Sequence, residues 1–210
     1  MMNIYPKMNS TNTAFLVIDV VNSCADKKCE TPEYGITFNK IRSMIPKLND
    51  FIKKFRVTTN SPIIFINITK WQKEYLPENL NELYADPEAC YYSNDESGFS
   101  EEFFLVRPEK NDLVITKNHP DAFTNKKLTE YLKNNGIKYL VIAGIFTDGC
   151  VLATIVNGFS KGYNFVILKD LIETTDVPTR QNLQKLLIDY TFPFMYGKTI
   201  TSEEFFKSWA

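Results

Sequence analysis

The chain has 210 residues, 44% of them hydrophobic, and a formal net charge of -1, which is enough length for one sizeable core. Its Lys and Arg are scattered and balanced by acids, so the clustered excess that phosphate neutralisation needs is missing and nucleic-acid binding is excluded as an expected role. No apolar run reaches the length that spans a bilayer, so no membrane role is expected either.

The N-terminus lacks the basic stretch and apolar core of a secretory signal, which predicts a cytoplasmic protein. Cys24, Cys29, Cys90 and Cys150 form no Cys-x-x-Cys pair, and His119 is the single histidine. Reduced thiols are therefore expected, and no Cys/His zinc site.

A continuous apolar run over 14–18 predicts a first strand, ending at Asp19. Phe38, Ile41, Ile45, Leu48, Ile52 and Phe55 then recur at spacings of three or four, which predicts a helix. Pro46 places the start of its regular part near Ser43, because proline fits a first helical turn. Residues 62–68 read as the second strand.

Residues 70–112 break the rhythm, carrying Trp71, Tyr75, Tyr84, Tyr91, Tyr92, Phe99, Phe103 and Phe104 among Pro, Asn, Asp and Glu. A structureless loop of that length is unusual in a compact domain, so the stretch is expected to form a lid, a pocket wall or a subunit contact. Residues 113–116 form the third strand, ending at Lys117. A helix over 125–134 stops at Asn135-Gly136, and a strand over 138–143 runs into the turn 144–151. A helix over 151–160, a strand over 164–168, a helix over 179–190 on Leu183, Leu186 and Leu187, and a strand near 199–201 follow. Thr201 and Glu204 have capping-box spacing before a short terminal helix. Near-continuous apolar strands alternating with helices predict an α/β protein, a three-layer α/β/α sandwich in one domain spanning 1–210.

Three of these strands deliver Asp19, Lys117 and Cys150 at or just beyond their carboxyl ends. In an open parallel sheet those ends share the edge where ligands bind. An acid, an amine and a thiol there supply a proton carrier, an orienting charge and a nucleophile. Cys150 stands at a strand-to-helix turn, where unpaired N–H groups and the helix dipole are expected to lower its pKa and to hold an anionic oxygen. Gly144 and Gly149 are spaced like a phosphate loop, but Cys150-Val151 replaces the required Lys-Ser/Thr, which argues against a nucleotide site.

Phe15 to Asn22 (FLVIDVVN), Val114 to Phe123 (VITKNHPDAF), Val141 to Val151 (VIAGIFTDGCV) and Gly162 to Asp170 (GYNFVILKD) resemble the isochorismatase-like cysteine hydrolases. That family includes nicotinamidases, N-carbamoylsarcosine amidase, and ureidoacrylate and biuret hydrolases. The resemblance implies a Rossmann-like, isochorismatase-like fold with a six-stranded, mainly parallel sheet. It also implies that Asp19, Lys117 and Cys150 are catalytic, that the Ile145-Phe146 peptide is cis, and that the Phe146 and Cys150 N–H groups form an oxyanion hole. Asn22, Trp71, Tyr75, Phe123 and Thr147 are the expected substrate contacts.

Nicotinamidases carry an Asp-x-His metal motif after the second strand, where this chain reads Ile66-Asn67-Ile68-Thr69-Lys70. A common Gln two residues beyond the catalytic Asp is Val21 here, while Asn22 fits the next position. The implied activity is metal-independent and cofactor-free cleavage of a C–N bond in a small amide, ureide or carbamoyl compound through a thioester. Vinyl ether hydrolysis, and a silent member acting as a binding protein, are the alternatives. A homo-oligomer, dimer or tetramer, is implied as well.

Overall fold

A computed structural model of the protein describes residues 4–70, 72–84 and 102–209. Six strands form one sheet: β1 (Thr13–Ile18), β2 (Ile63–Ile68), β3 (Leu113–Lys117), β4 (Tyr139–Ile145), β5 (Asn164–Glu173) and β6 (Gly197–Ile200). Their order is β3-β2-β1-β4-β5-β6, and every neighbouring pair is parallel. The helical elements are the single turn α1 (Asn22–Ala25), then α2 (Asn39–Thr59), α3 (Glu78–Tyr84), α4 (Lys126–Asn134), α5 (Leu152–Ser160), α6 (Pro178–Leu186) and α7 (Ser202–Ser208). None of the described helices is long and apolar enough to cross a membrane.

Side chains alternate across the sheet and split the core in two. Phe15, Val17, Phe65 and Val141 face α2 and α7, packing with Ile41, Ile45, Leu48, Phe55 and Phe205. Leu16, Ile18, Ile64, Ile66, Leu140 and Ile142 face the other way, against Leu128 and Leu132 of α4 and Ile155 of α5. This is the three-layer sandwich expected from the sequence. The edge strand β3 is less covered, leaving Val114 43% exposed among the described residues.

Three boundaries differ most from expectation. The helix expected near Ser43 begins at Asn39 and keeps Pro46 inside. Its first turn is capped from a distance: Asp176 accepts hydrogen bonds from the backbone N–H groups of Asn39 at 2.7 Å and Lys40 at 3.1 Å. Strand β5 continues to Glu173, past Lys169-Asp170, because after a register shift its pairing with β4 resumes at Ile172 and Glu173, while Asp170 accepts from the Ser202 backbone and hydroxyl, each at 2.7 Å. Helix α6 ends at Leu186, and a wide helical turn, Leu187–Tyr196, follows with Pro193 inside.

Gly144 brings the two central strands together. Its φ is +124°, and a Cβ there would stand 2.1 Å from the backbone oxygen of Ile18, the last residue of β1. Gly144→Ala is expected to lower stability by about 2 kcal/mol or more, from overpacking and the left-handed φ together. Denaturant unfolding with a wild-type midpoint would contradict this.

The described end of the 70–112 stretch folds back onto the carboxyl edge of β1. Phe103 bridges Val21, the Phe104 N–H donates to Val20 O at 2.9 Å, and the Phe103 ring meets Phe65 at 5.6 Å between centroids. Residues 85–101, and with them Cys90, Tyr91, Tyr92 and Phe99, lie outside the described residues.

Candidate active site

The strand order reverses between β1 and β4. The chain moves outward from β1 through β2 to β3, then returns to β4 on the other side, opening a crevice beyond their carboxyl ends. Asp19 enters it directly from β1. Its φ of +51° is uncommon for a residue other than glycine but tolerated by Asp, and it turns the chain out of the strand while its N–H still donates to Ile66 O at 2.9 Å.

Lys117 comes from the edge strand, two strands away, so its side chain and that of Asp19 meet over the end of β2, together bridging strand axes roughly 10 Å apart at ordinary spacing. The Lys117 ammonium stands 2.7 Å from Asp19 Oδ2 and donates to Cys150 Sγ at 3.3 Å. Asp19 and Lys117 are 1% and 2% exposed, so this is a dry contact, whereas Cys150 is half-buried. The approach of Lys117 to Asp19 is a buried ion pair.

Burial raises the Asp19 pKa above the ordinary carboxylate value, opposed by the charge of Lys117. Burial also works against the Lys117 ammonium, but Asp19 and Cys150 outweigh it, and the lysine stays protonated with its pKa raised. The Cys150 thiol is pushed up by burial first and by the Asp19 charge second, with Lys117 opposing. This corrects the expected acidification by a helix start. The turn Thr147–Val151 is a wide one, with Gly149 outside helical geometry at φ −124° and ψ −107°, and α5 begins only at Leu152. Burial and a neighbouring carboxylate outweigh the dipole. At rest Cys150 is thus a thiol and Lys117 an ammonium. Cys24, on α1, is pushed up to about 12 by burial and by the same Asp19 charge.

The Ile145-Phe146 peptide is cis, as the resemblance implies. Phe146 O accepts hydrogen bonds from the N–H groups of Gly149 at 3.0 Å and Val151 at 3.1 Å, folding the turn back on itself. Three residues that the sequence did not single out hold it from outside: the Asp148 carboxylate accepts from Arg180 and from Thr174. No sequence signal marked them, since a charge in the first turn of a helix reads as solvated.

The expected substrate contacts are not all brought together. Asn22 lies by the crevice and donates from Nδ2 to Glu102 Oε2 at 3.2 Å. Tyr75 is 44% exposed and, with Thr69, Asn118 and Lys117, lines a cavity of about 470 Å³. Thr147 is fully buried, and its Oγ1 has no hydrogen-bond partner among the described residues. Phe123 is instead a core residue, 6% exposed and stacked at 5.4 Å on Tyr163, which immediately precedes β5 at that strand's amino end. Trp71 lies outside the described residues. Among the described residues no group of three or more His, Cys, Asp or Glu is placed to hold a metal ion.

A family model described as the Isochorismatase domain matches residues 13–203. A secreted isochorismatase effector of Verticillium dahliae is 24% identical over 178 residues, covering 85% of this chain and 82% of that protein. A ureidoacrylate amidohydrolase of Variovorax paradoxus is 24% identical over 216 residues, covering 97% of this chain and 83% of that one. The fold is similar to a cysteine hydrolase from Pseudomonas syringae pv. phaseolicola, with a TM-score of 0.80 at 16% identity over 99% of this chain and 97% of the other. With the family model spanning residues 13–203, nearly its whole length, the chain belongs to the isochorismatase family of hydrolases.

Proposed function

We propose that the protein cleaves a C–N bond in a small amide, ureide or carbamoyl compound, with Asp19, Lys117 and Cys150 as its catalytic residues and without a metal or cofactor. The carrying observation is the buried Lys117 ammonium, 2.7 Å from Asp19 and 3.3 Å from Cys150. A raised carboxylate pKa makes Asp19 a better proton acceptor, and a fixed positive charge favours the thiolate as it forms.

When a planar carbonyl compound enters, the Cys150 proton passes to Asp19 and the sulfur bonds to the carbonyl carbon. The negative charge that develops on oxygen is met by the N–H groups of Phe146 and Cys150. Asp19 then gives its proton to the leaving nitrogen, the C–N bond breaks, and ammonia or an amine departs. Water, losing a proton to Asp19, attacks the thioester, and the C–S bond breaks. Asp19 returns that proton to the sulfur, and the product is a carboxylic acid, or a carbamate from a ureide.

The test is ammonia release from a panel of small amides, ureides and carbamoyl compounds, with Cys150→Ala as control. Release from none of them by the wild type would sink the proposal. The Verticillium relative's name favours a second reading, vinyl ether hydrolysis, which has no need of a thiol. The end of the 70–112 stretch, resting on the β1 edge beside Asp19, supports its role as a pocket wall.

The acid limb of the rate profile follows from Asp19. The reaction needs its carboxylate, and burial raises its pKa, so kcat/KM is expected to fall with one proton at a pH above the ordinary carboxylate value of about 4. A rate that stays level down to that pH would remove Asp19 as the acceptor.

A second copy of this chain is the proposed partner. Phe159, Leu183, Leu186, Tyr190, Phe194 and Met195 expose one apolar face on α5, α6 and the turn after it, with Tyr190 stacked on Phe194 at 4.8 Å. The Lys185–Asp189 ion pair borders it, so both signs are available to match across a two-fold axis. Light scattering is expected to give a dimer or tetramer that Leu186→Glu dissociates, and a monomeric wild type would refute this.

A further inference from the structure

The turn that carries Cys150 is not a regular helix. Gly149 leaves helical geometry, and two hydrogen bonds to Phe146 O, from Gly149 at 3.0 Å and Val151 at 3.1 Å, bracket the thiol. A side chain from α6 adds a second constraint from outside the turn. Arg180 donates from Nε to Asp148 Oδ2 and from Nη2 to Oδ1, both at 2.6 Å, the forked pairing that a guanidinium makes with a carboxylate. Thr174 Oγ1 donates to the same Oδ1 at 2.6 Å. The guanidinium also lies over the Phe146 ring, 4.8 Å from its centroid. One planar group thus grips the residues on both sides of Thr147.

The base beneath that group is fixed. Gln181 Nε2 donates to Glu173 Oε1 and to Thr175 O, each at 3.0 Å, and Gln184 Nε2 donates to Glu173 Oε1 at 2.7 Å. These bonds tie α6 to the end of β5, and Ile172 and Glu173 of β5 pair with Gly144 and Ile145 of β4. A closed path therefore runs from the sheet through α6 and Arg180 to the turn.

We propose that Arg180 is a positioning residue for the nucleophile turn, setting the Phe146 and Cys150 N–H groups and the Cys150 sulfur against the substrate carbonyl. This rests on the reading of that turn as nucleophile and oxyanion hole. Asp148 is the handle rather than a base: its side chain is 6% exposed and both oxygens are engaged. Donors displaced by a fraction of an ångström lose more against a full oxyanion than against a neutral carbonyl, so the effect belongs on kcat.

In Arg180→Ala, kcat is expected to fall about a hundredfold while KM stays within about threefold of wild type. Guanidinium at a sub-denaturing concentration should refill the gap and restore about a tenth of the lost rate or more. Amide hydrogen exchange over residues 145–151 should become about tenfold faster, reversed by guanidinium, with 139–143 unchanged. Arg180→Lys keeps the charge without the fork and should fall between the two in both measurements. A folded Arg180→Ala with kcat within about threefold of wild type, or a KM rise that matches the kcat loss, overturns the proposal. So does unchanged exchange over 145–151. If the wild type turns over none of the panel, the C–N hydrolase reading fails and the exchange measurement alone decides the role of Arg180. If Arg180→Ala does not fold, Arg180→Lys decides it by the same criteria.

Discussion

Asp19→Asn is expected to lose about a thousandfold in turnover while its Cys150 thiol becomes more acidic. The two effects point in opposite directions for a nucleophile, which is what makes the pair informative. Asparagine can neither accept the thiol proton nor protonate the leaving nitrogen, so both halves of the chemistry fail. The thiol pKa in the wild type is raised by burial and then by the Asp19 charge, with Lys117 opposing. Asparagine removes the second cause and leaves the first. Lys117, 3.3 Å from the sulfur, also loses its competing carboxylate, and a buried ammonium without a counter-charge favours a thiolate beside it. The Cys150 pKa therefore moves down toward its ordinary value. Iodoacetamide labelling of Cys150 as a function of pH, read by peptide mass, should be faster in Asp19→Asn than in wild type at the same pH. Slower labelling throughout would show that Asp19 does not raise the thiol, and turnover within about tenfold of wild type would show that it does not carry the proton.

The strands and the three reactive residues were legible because each signal was local. An apolar run closed by Asp19, another by Lys117 and a third leading to the turn at Cys150 place three reactive side chains on one edge whatever the loops do. Distant partners were not legible. The true start of α2 depends on Asp176, whose carboxylate caps Asn39 and Lys40 from the other half of the chain, so Pro46 misled a reading confined to its own neighbourhood. Helix α6 shows the same limit. Leu183, Leu186 and Leu187 appeared to mark its buried face, yet only Leu187 is buried, while Leu183 and Leu186 are 44% and 62% exposed. The inward face instead carries Arg180 and Gln184, four residues apart, which hold Asp148 and Glu173. Apolar periodicity finds a core but cannot find a polar network that takes its place. The thiol pKa failed for a related reason: a helix start is visible in sequence, whereas burial and the approach of Asp19 are tertiary.

Cys150→Ala separates the two hydrolase readings most sharply. For C–N cleavage through a thioester, removing the sulfur removes the bond-forming atom, and turnover is expected to fall by about 10⁴-fold or more. Cys150→Ser should be nearly as inactive. A hydroxyl is a far weaker acid than a thiol, and a carboxylate acceptor, even with its pKa raised by burial, cannot take its proton as readily. Both variants should keep the wild-type unfolding midpoint, because Cys150 is a small, half-buried residue outside the two hydrophobic clusters' buried members and alanine removes little volume. For vinyl ether hydrolysis the demand is different, since protonation of the double bond and attack by water need an acid and no thiol. Asp19, buried with a raised pKa, would serve as that acid. On that reading Cys150→Ala retains activity toward an enol ether and Asp19→Asn loses it. On the C–N reading both lose ammonia release, and Cys150→Ala, with its fold intact, is the variant whose result assigns the chemistry.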